Sequence, residues 1–150
     1  MKFSDFVKTE SIQAELAADD KEGVIRELVT SLVEKGQLNG DEYENIVKAI
    51  LEREKLGSTG IGRGIAVPHT KHPSVQDIVG TVGVSSAGVA FESLDGEKVQ
   101  LFFMLISPLD RRNDHLKALE NISKQLQDDT FCRFLKQSKS VEDVQQILEE

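Results

Sequence analysis

The strongest constraint on the fold is a nearly continuous apolar segment near the middle of the chain. Val99 and the six residues from Leu101 to Ile106 are apolar, with one glutamine between them. Because successive side chains of a β-strand point to opposite faces of the sheet, such a run is typical of a strand that is buried on both faces. Ser107 and Pro108 end it. We therefore expect a central strand here, in a sheet that helices cover on each side.

Helical patterns lie on both sides of this strand in the sequence. Residues 21–35 carry an apolar stripe of helical period that stops at Gly36, and residues 42–55 carry a second stripe. Residues 116–148 hold the stripes of further helices, whereas residues 78–106 have the pattern of β-strands. This order predicts an α/β fold, a three-layer α/β/α domain with a central mixed β-sheet flanked by helices.

Three smaller predictions concern the ends of elements. Asp19, followed by Glu22 three residues later, has the spacing of a capping box at the start of the first helix. Residues 11–16 alternate between apolar and polar side chains, as a strand would. Residues 65–67 form a short apolar strand, which ends at Pro68 or lies at an edge because proline cannot donate to a β-ladder.

Length and charge narrow the function classes. Residues 1–150 are the length of a single domain. The 18 basic and 26 acidic side chains give a net charge of −8, which argues against a nucleic-acid binder, because such proteins hold phosphates with excess basic charge. No apolar run approaches the roughly 20 residues of a membrane span, and no signal core begins the chain, so we expect a cytoplasmic protein without membrane insertion.

The single cysteine, Cys132, lies in an apolar helical stretch, where a buried and inert thiol is expected.

A glycine-rich segment follows the second helix and precedes a histidine. Residues 56–64 contain four glycines in nine positions, directly after the basic helix end at Arg53 and Lys55. Such loops present backbone N–H groups to anions, and loops at strand ends often carry function. No Gly-Lys-Ser/Thr follows, so the segment is not a P-loop, and no helical pattern follows that would complete a dinucleotide-binding motif. An anion-binding loop and a plain structural turn both stay open.

The three histidines are the remaining candidates for chemistry. His69 follows the short strand, and imidazole both transfers protons and attacks phosphorus. His115 follows the buried strand by eight residues and could share a cleft with His69, although a solvated position is the alternative for each. His72 has the setting of a solvated loop residue. The spacing His69-x-x-His72 with His115 could also supply three metal ligands, but no carboxylate or thiol stands nearby in sequence, so we expect no metal.

The segment from residue 51 to residue 69 resembles a known family signature. It reads LEREKLGSTGIGRGIAVPH. This wording is similar to that of the fructose/mannitol-type enzyme IIA domain of the bacterial phosphoenolpyruvate:sugar phosphotransferase system. The part REKLGSTGIG is most similar to the stand-alone nitrogen-regulatory enzyme IIA. The resemblance extends over nearly the whole chain, from the helix near residue 20 to the last helix.

The resemblance implies a phosphoryl carrier with named site residues. His69 would accept a phosphoryl group, through Nε2, from the phosphohistidine of HPr or of its nitrogen-branch relative. His115 matches a second family histidine, and Arg53 matches the family arginine at the end of the helix before the loop. The phosphoryl oxygens would meet donors from Arg53, from His115 and from the loop backbone, at Gly57, Ser58, Thr59 and Gly60. Neither a cofactor nor a metal takes part in this scheme, because the donor is another protein's phosphohistidine.

One departure from the mannitol pattern refines the expectation. Arg63 stands where mannitol-type members carry a glutamate, as in the nitrogen-type members, which also lack it. A phosphohistidine adds roughly −1.5 to −2 of charge, and Arg53, Arg63 and Lys71 flank the motif and could balance it.

Three functions stay open at this point. The first is a phosphoryl carrier with a regulatory output through target proteins, and the second is a fructose-specific enzyme IIA that passes phosphate to a IIB protein. The third is a docking module whose histidine is never phosphorylated. The first two describe a phosphotransferase-system component rather than an enzyme that turns over a small molecule.

Overall fold

A five-stranded sheet, built around the predicted apolar strand, lies between two layers of helices. The computed structural model describes residues 2–149. The helices are α1 (Lys21–Glu34), α2 (Tyr43–Lys55), α3 (Arg112–Leu126), α4 (Asp129–Gln137) and α5 (Val141–Glu149). The strands are β1 (Gly60–Gly62), β2 (Ile65–Ala66), β3 (His69–Lys71), β4 (Val79–Val89) and β5 (Val99–Ser107). Short 3-10 turns cover Phe3–Asp5, Thr9–Ser11 and Gly40–Glu42.

Strand β5 occupies the centre of the sheet, as the apolar run predicts. Strand β4 pairs with it antiparallel, whereas β2 and β3 pair with it parallel, one after the other along the same edge. Strand β1 extends the sheet antiparallel to β2. The sheet is therefore mixed, and its central strand is covered on both edges and both faces.

Alternate side chains of β5 enter two separate hydrophobic cores. Phe102, Met104 and Ile106 pack with the apolar stripes of α1 and α2. Leu101, Phe103 and Leu105 pack instead with apolar residues of α3, α4 and α5. This division follows from the two-residue period of a strand and confirms the α/β/α architecture. Among residues 2–149, no helix is long and apolar enough to cross a membrane.

Several element ends differ from the sequence-based predictions. The cap of α1 is Asp20, whose Oδ1 accepts the Gly23 N–H at 2.7 Å, so the predicted Asp19 cap is wrong by one residue. The segment 11–16 forms no strand of its own. It follows the outer edge of β4 through isolated contacts such as Gln13 with Gly83, which shield that edge.

Two further elements carry features that the sequence does not predict. The strand predicted to end at Pro68 does end before it, at Ala66, but β3 begins directly after the proline and pairs with the same strand, β5. In α3 the buried face includes His115 and Ala118, while Leu116, the first residue of the apolar pattern at residues 116–148, is 48% exposed. The buried stripe is therefore rotated towards the histidine.

Candidate functional site

His69 begins strand β3, directly after Pro68. Its Nδ1 lies 2.7 Å from the backbone carbonyl oxygen of Val67. A carbonyl oxygen can only accept, so Nδ1 carries the proton in this contact, and the neutral ring then has its lone pair on Nε2. Pro68 lies between the two residues and brings that carbonyl back towards the ring. The local backbone thus prepares Nε2 as a nucleophile.

The electrostatic setting keeps His69 neutral. Burial lowers the pKa of His69 below its usual range, and the positive charges of Arg53 and Lys71 lower it further. The hydrogen bond to Val67 and the carboxylate of Glu54 act in the opposite direction and raise that pKa. The balance favours the neutral imidazole, which is the form that attacks an electrophile.

His115 faces His69 from the first turn of α3. The two ring centroids are 5.7 Å apart, and the rings are inclined at 51°. His115 is 4% exposed, and burial, followed by the nearby His69 and Lys71, lowers its pKa to about 4. Its Nδ1 is hydrogen-bonded to the hydroxyl of Ser107, at the end of β5. When that hydroxyl donates, Nε2 of His115 carries the proton and can serve as a donor in the cleft.

Arg53 occupies the opposite side of the cleft, in the last turn of α2. Its Nη1 donates to the carbonyl oxygen of Gly57 at 3.0 Å, and its positive charge is among the causes that lower the pKa of His69. The guanidinium therefore lies close enough to act on the imidazole while it is held by the loop. The remaining guanidinium N–H groups are the donors that this side offers to an anion.

Most of the N–H groups in the predicted anion-binding loop are used within the protein. Gly57 N–H donates to Glu54 O at 3.1 Å, and Gly60 N–H donates to the Ser58 hydroxyl oxygen at 3.0 Å. Thr59 N–H donates to the Glu54 carboxylate at 3.2 and 3.3 Å. Among residues 2–149, no hydrogen bond satisfies the Ser58 N–H. Phosphate binding by this loop stays a prediction, and Ser58 is the position that has a free backbone donor for it.

Two functional candidates were missed by the sequence reasoning. The sequence pattern marks Ser107 only as the end of a strand, yet its hydroxyl orients His115. Glu54 lies in a helix end whose neighbours are basic, yet its buried carboxylate holds Thr59 and forms an ion pair with Lys21 at 3.0 Å. The signal for Glu54 was helical spacing, since it follows Ile50 by four residues and so falls on the buried stripe of α2.

Other candidates are placed outside the cleft. The Arg63 side chain donates to Asp129 at 2.8 Å and to the Leu126 carbonyl oxygen at 2.7 Å, so it anchors the β1–β2 hairpin to the helices. His72 is hydrogen-bonded to the neighbouring Ser74. Cys132 is buried, as predicted, and burial raises its pKa. Within residues 2–149, no three His, Cys, Asp or Glu side chains are grouped so that they could hold a metal ion.

Comparisons with known proteins identify the family of the chain. The family model described as phosphoenolpyruvate-dependent sugar phosphotransferase system, EIIA 2, matches residues 5–150. A nitrogen regulatory protein of Bradyrhizobium diazoefficiens is 34% identical over 99% of this chain and 95% of its own length. The fructose-specific EIIABC component of Bacillus subtilis is 36% identical over 99% of this chain, which corresponds to 23% of that longer protein.

Solved structures show the same fold. The nitrogen regulatory protein IIA-Ntr of Neisseria meningitidis superimposes with a TM-score of 0.86 at 27% identity, covering 95% of this chain and 96% of that one. The mannitol enzyme IIA of Escherichia coli, in its complex with phosphorylated mannitol enzyme IIB, gives a TM-score of 0.79 at 25% identity, over 96% and 99% of the two chains. The chain therefore belongs to the EIIA 2 family of the phosphoenolpyruvate-dependent sugar phosphotransferase system.

Proposed function

We propose that this protein is a phosphoryl carrier of the phosphotransferase system, which accepts a phosphoryl group on Nε2 of His69. The observation that carries the proposal is the Nδ1 contact of His69 with the Val67 carbonyl oxygen, at 2.7 Å. It fixes the proton on Nδ1 and directs the lone pair of Nε2 outwards. The cleft then supplies Arg53 on one side and His115 on the other, as the family resemblance implies.

The transfer step is a displacement at phosphorus. The Nε2 lone pair of His69 attacks the phosphorus of a phosphohistidine on the donor protein, and the new N–P bond forms as the donor's N–P bond breaks. The electron pair of the broken bond stays on the donor ring, which leaves as neutral imidazole when its other nitrogen is protonated. The ring of His69 keeps its Nδ1 proton against Val67, so charge balances without a proton crossing the cleft.

Donors on both sides of the cleft fit the charge of the transferring group. The negative charge of the phosphoryl group is spread over three oxygens in the transition state. Arg53 supplies a permanent positive charge, and the neutral His115 supplies an Nε2–H donor when Ser107 donates to its other nitrogen. Fixed donors of this kind stabilise the transition state because they need no reorganisation during the reaction.

Exposed apolar side chains near the cleft favour a protein as the donor. Leu56, which directly precedes Gly57 in the loop, is 85% exposed, and Leu116, directly after His115, is 48% exposed. Leu94 is 79% exposed, and its N–H donates to the Gly60 carbonyl oxygen at 3.1 Å. Exposed apolar surface at a functional site is typical of protein docking. An HPr-type phosphocarrier is the donor that we propose, in the cytoplasm.

The destination of the phosphoryl group separates two forms of this proposal. We favour a regulatory output, in which the charge at His69 changes binding to target proteins, because the similarity to the nitrogen regulatory protein of Bradyrhizobium diazoefficiens covers 95% of that protein. Transfer to a IIB protein for fructose uptake is the second candidate, favoured by the similarity to the fructose-specific component. Neighbouring genes discriminate between them: sigma-54 or nitrogen genes favour regulation, whereas IIB and IIC genes favour transport.

Phosphoryl transfer to His69 can be tested with labelled phosphoenolpyruvate, enzyme I and HPr. We expect an acid-labile phosphate on the wild-type protein and none on His69→Ala. The matched control is His72→Ala, which removes a histidine outside the cleft and should be labelled at the wild-type rate. Labelling of His69→Ala at the wild-type rate would place the acceptor elsewhere. No labelling of the wild-type protein by any HPr-type donor would favour the unphosphorylated docking module.

A further inference from the structure

Glu54, the residue after Arg53 on α2, has a buried carboxylate. The side chain of Glu54 is 2% exposed. Burying a carboxylate is costly unless it is paired and hydrogen-bonded. Glu54 meets this requirement through Lys21 at 3.0 Å, and through both the N–H and the hydroxyl of Thr59, which donate to its carboxylate.

Lys21, the partner of Glu54, also contacts the segment that follows β4. Lys21 is the first residue of α1, its side chain is 18% exposed, and its Nζ lies 4.8 Å from the centre of the Phe91 ring. The carbonyl oxygen of Phe91 accepts the Ser58 hydroxyl at 2.8 Å. The start of α1, the end of α2, the loop at residues 57–60 and the chain after β4 therefore meet around the one carboxylate of Glu54.

Stability alone does not account for an ion pair at this place. A buried pair gains little over apolar side chains of similar size, because both charges lose their hydration. The carboxylate does have a geometric effect that an apolar side chain could not reproduce. Arg53 and Glu54 are consecutive on α2, and each is hydrogen-bonded to a different part of the same loop. Arg53 donates to the Gly57 carbonyl oxygen, and the Glu54 carboxylate accepts the Thr59 N–H.

We propose that Glu54 is a positioning residue for phosphoryl transfer, which fixes the loop against α2 and thereby holds the guanidinium of Arg53 at its place beside His69. The proposal rests on the proposed function of His69 as phosphoryl acceptor. When an amide replaces the carboxylate, Lys21 and the two donors of Thr59 compete for a single uncharged oxygen, because the amide NH2 only donates. The attachment of Thr59 to α2 is then weaker, and the Gly57 carbonyl restrains Arg53 less. Small displacements of a charge-stabilising group can reduce a transfer rate by about a hundredfold.

The charge of Glu54 also gives the proposal a readout at His69 itself. The Glu54 carboxylate is among the causes that raise the pKa of His69, against the lowering effects of burial and of Arg53. Neutralising Glu54 with Arg53 in place should lower the pKa of His69, whereas release of Arg53 should raise it. Because the effect of Arg53 is the larger of the two, we expect the titration of the His69 ring to move to higher pH in Glu54→Gln. A shift to lower pH would mean that Arg53 has kept its place.

The decisive comparison is Glu54→Gln with Glu52→Gln. Both variants remove one carboxylate from the same helix, but Glu52 is exposed and its ion-pair partner is the exposed Lys55, at 3.6 Å. Transfer to His69 is measured with rising concentrations of phosphorylated HPr. For Glu54→Gln we expect the maximal rate to fall at least tenfold while the half-saturating donor concentration stays within twofold of wild type. Both values should stay within twofold of wild type for Glu52→Gln.

The outcomes distinguish this proposal from the proposed function. If the wild-type protein is labelled on His69 and Glu54→Gln matches Glu52→Gln in rate and in the NMR titration of His69, Glu54 has no positioning role. If the wild-type protein is not labelled, the proposed function fails first. Should Glu54→Gln not fold, Thr59→Val removes only the hydroxyl donor and keeps the β-branched shape and the N–H. We then expect a two- to tenfold lower maximal rate, and an unchanged rate would overturn the proposal.

Discussion

The two sides of the cleft are built by different physical means. On one side, His115 is part of a buried helix face, and its orienting partner Ser107 is fully buried at the end of the central strand. On the other side, Arg53 is half-buried and holds a glycine-containing loop through a hydrogen bond to the Gly57 carbonyl oxygen. The first side is fixed by core packing, and the second by polar contacts to backbone groups. Changes to His115 should therefore affect stability, whereas changes to Arg53 should affect transfer alone.

The largest effect that we expect is on the loop side, from Arg53→Met. Removing a charged donor aimed at a developing negative charge typically lowers a rate by about 100- to 1,000-fold. The free energy of unfolding should change by only about 0.5 kcal/mol, as for most substitutions away from the core. The measurements are the rate of phosphoryl transfer from HPr and urea unfolding of the same sample.

Lys55→Met is the matched control for Arg53→Met. It removes one positive charge from the same helix turn, at a residue whose contact is an exposed pair with Glu52. It should transfer phosphate at close to the wild-type rate. Equal losses in the two variants would mean that the helix end attracts the donor by its charge alone, and the contrast between the two sides of the cleft would not hold.

The contrast between core packing and polar contacts also explains which parts of the fold and of the site the sequence predicts. The apolar run of β5 determines its burial on both faces, so the layered fold follows from local pattern. The family motif likewise points to His69 and Arg53. The role of Glu54 depends on Lys21, which is distant in sequence, and the role of Ser107 depends on how the turn before α3 returns His115 to the end of β5, so local pattern reveals neither.

A single backbone position shows the same limit. Proline predicts the end of a strand because it lacks an N–H, and β2 does end at Ala66, before Pro68. The pairing nevertheless continues, because the carbonyl oxygen of Pro68 accepts the Leu105 N–H of β5 at 3.0 Å and β3 then pairs with the same strand. Such continuation depends on the neighbouring strand, which no local pattern near Pro68 could reveal.

On the His115 side of the cleft we expect an effect of middle size: the free energy of unfolding should depend on pH. The pKa of His115 is about 4 in the folded protein, below the usual value near 6.5 that applies when the chain is unfolded. Between these values only the unfolded state binds the proton, so lowering the pH favours unfolding. His115 therefore makes the free energy of unfolding fall by up to about 1.4 kcal/mol per pH unit from pH 6.5 to 4, and has no such effect above pH 7.

This dependence is measured by urea unfolding of wild type and His115→Gln at pH 7.5 and pH 5. The loss of stability on acidification should be smaller in His115→Gln, and the difference between the two proteins cancels the contribution of the many carboxylates. His72→Gln, which removes a histidine outside the cleft, should lose as much stability as wild type. If His115→Gln and wild type lost the same amount, the helix side would not be the buried, packed side that we describe.

The smallest effect is expected from Ser107→Ala, which leaves His115 in place and removes only its orienting hydroxyl. A neutral hydrogen bond contributes about 0.5–1.5 kcal/mol, so transfer should slow by roughly two- to tenfold. Ser85→Ala is the control, since Ser85 is also buried in the sheet but accepts the Gly88 N–H at 3.1 Å, away from the cleft.

The 15N shifts of His115 report the cause of the slower transfer directly. In wild type Nε2 should carry the proton, and in Ser107→Ala the two tautomers should mix. A slower transfer with an unchanged tautomer would mean that Ser107 acts through packing. The orientation of His115 would then be determined by core packing alone.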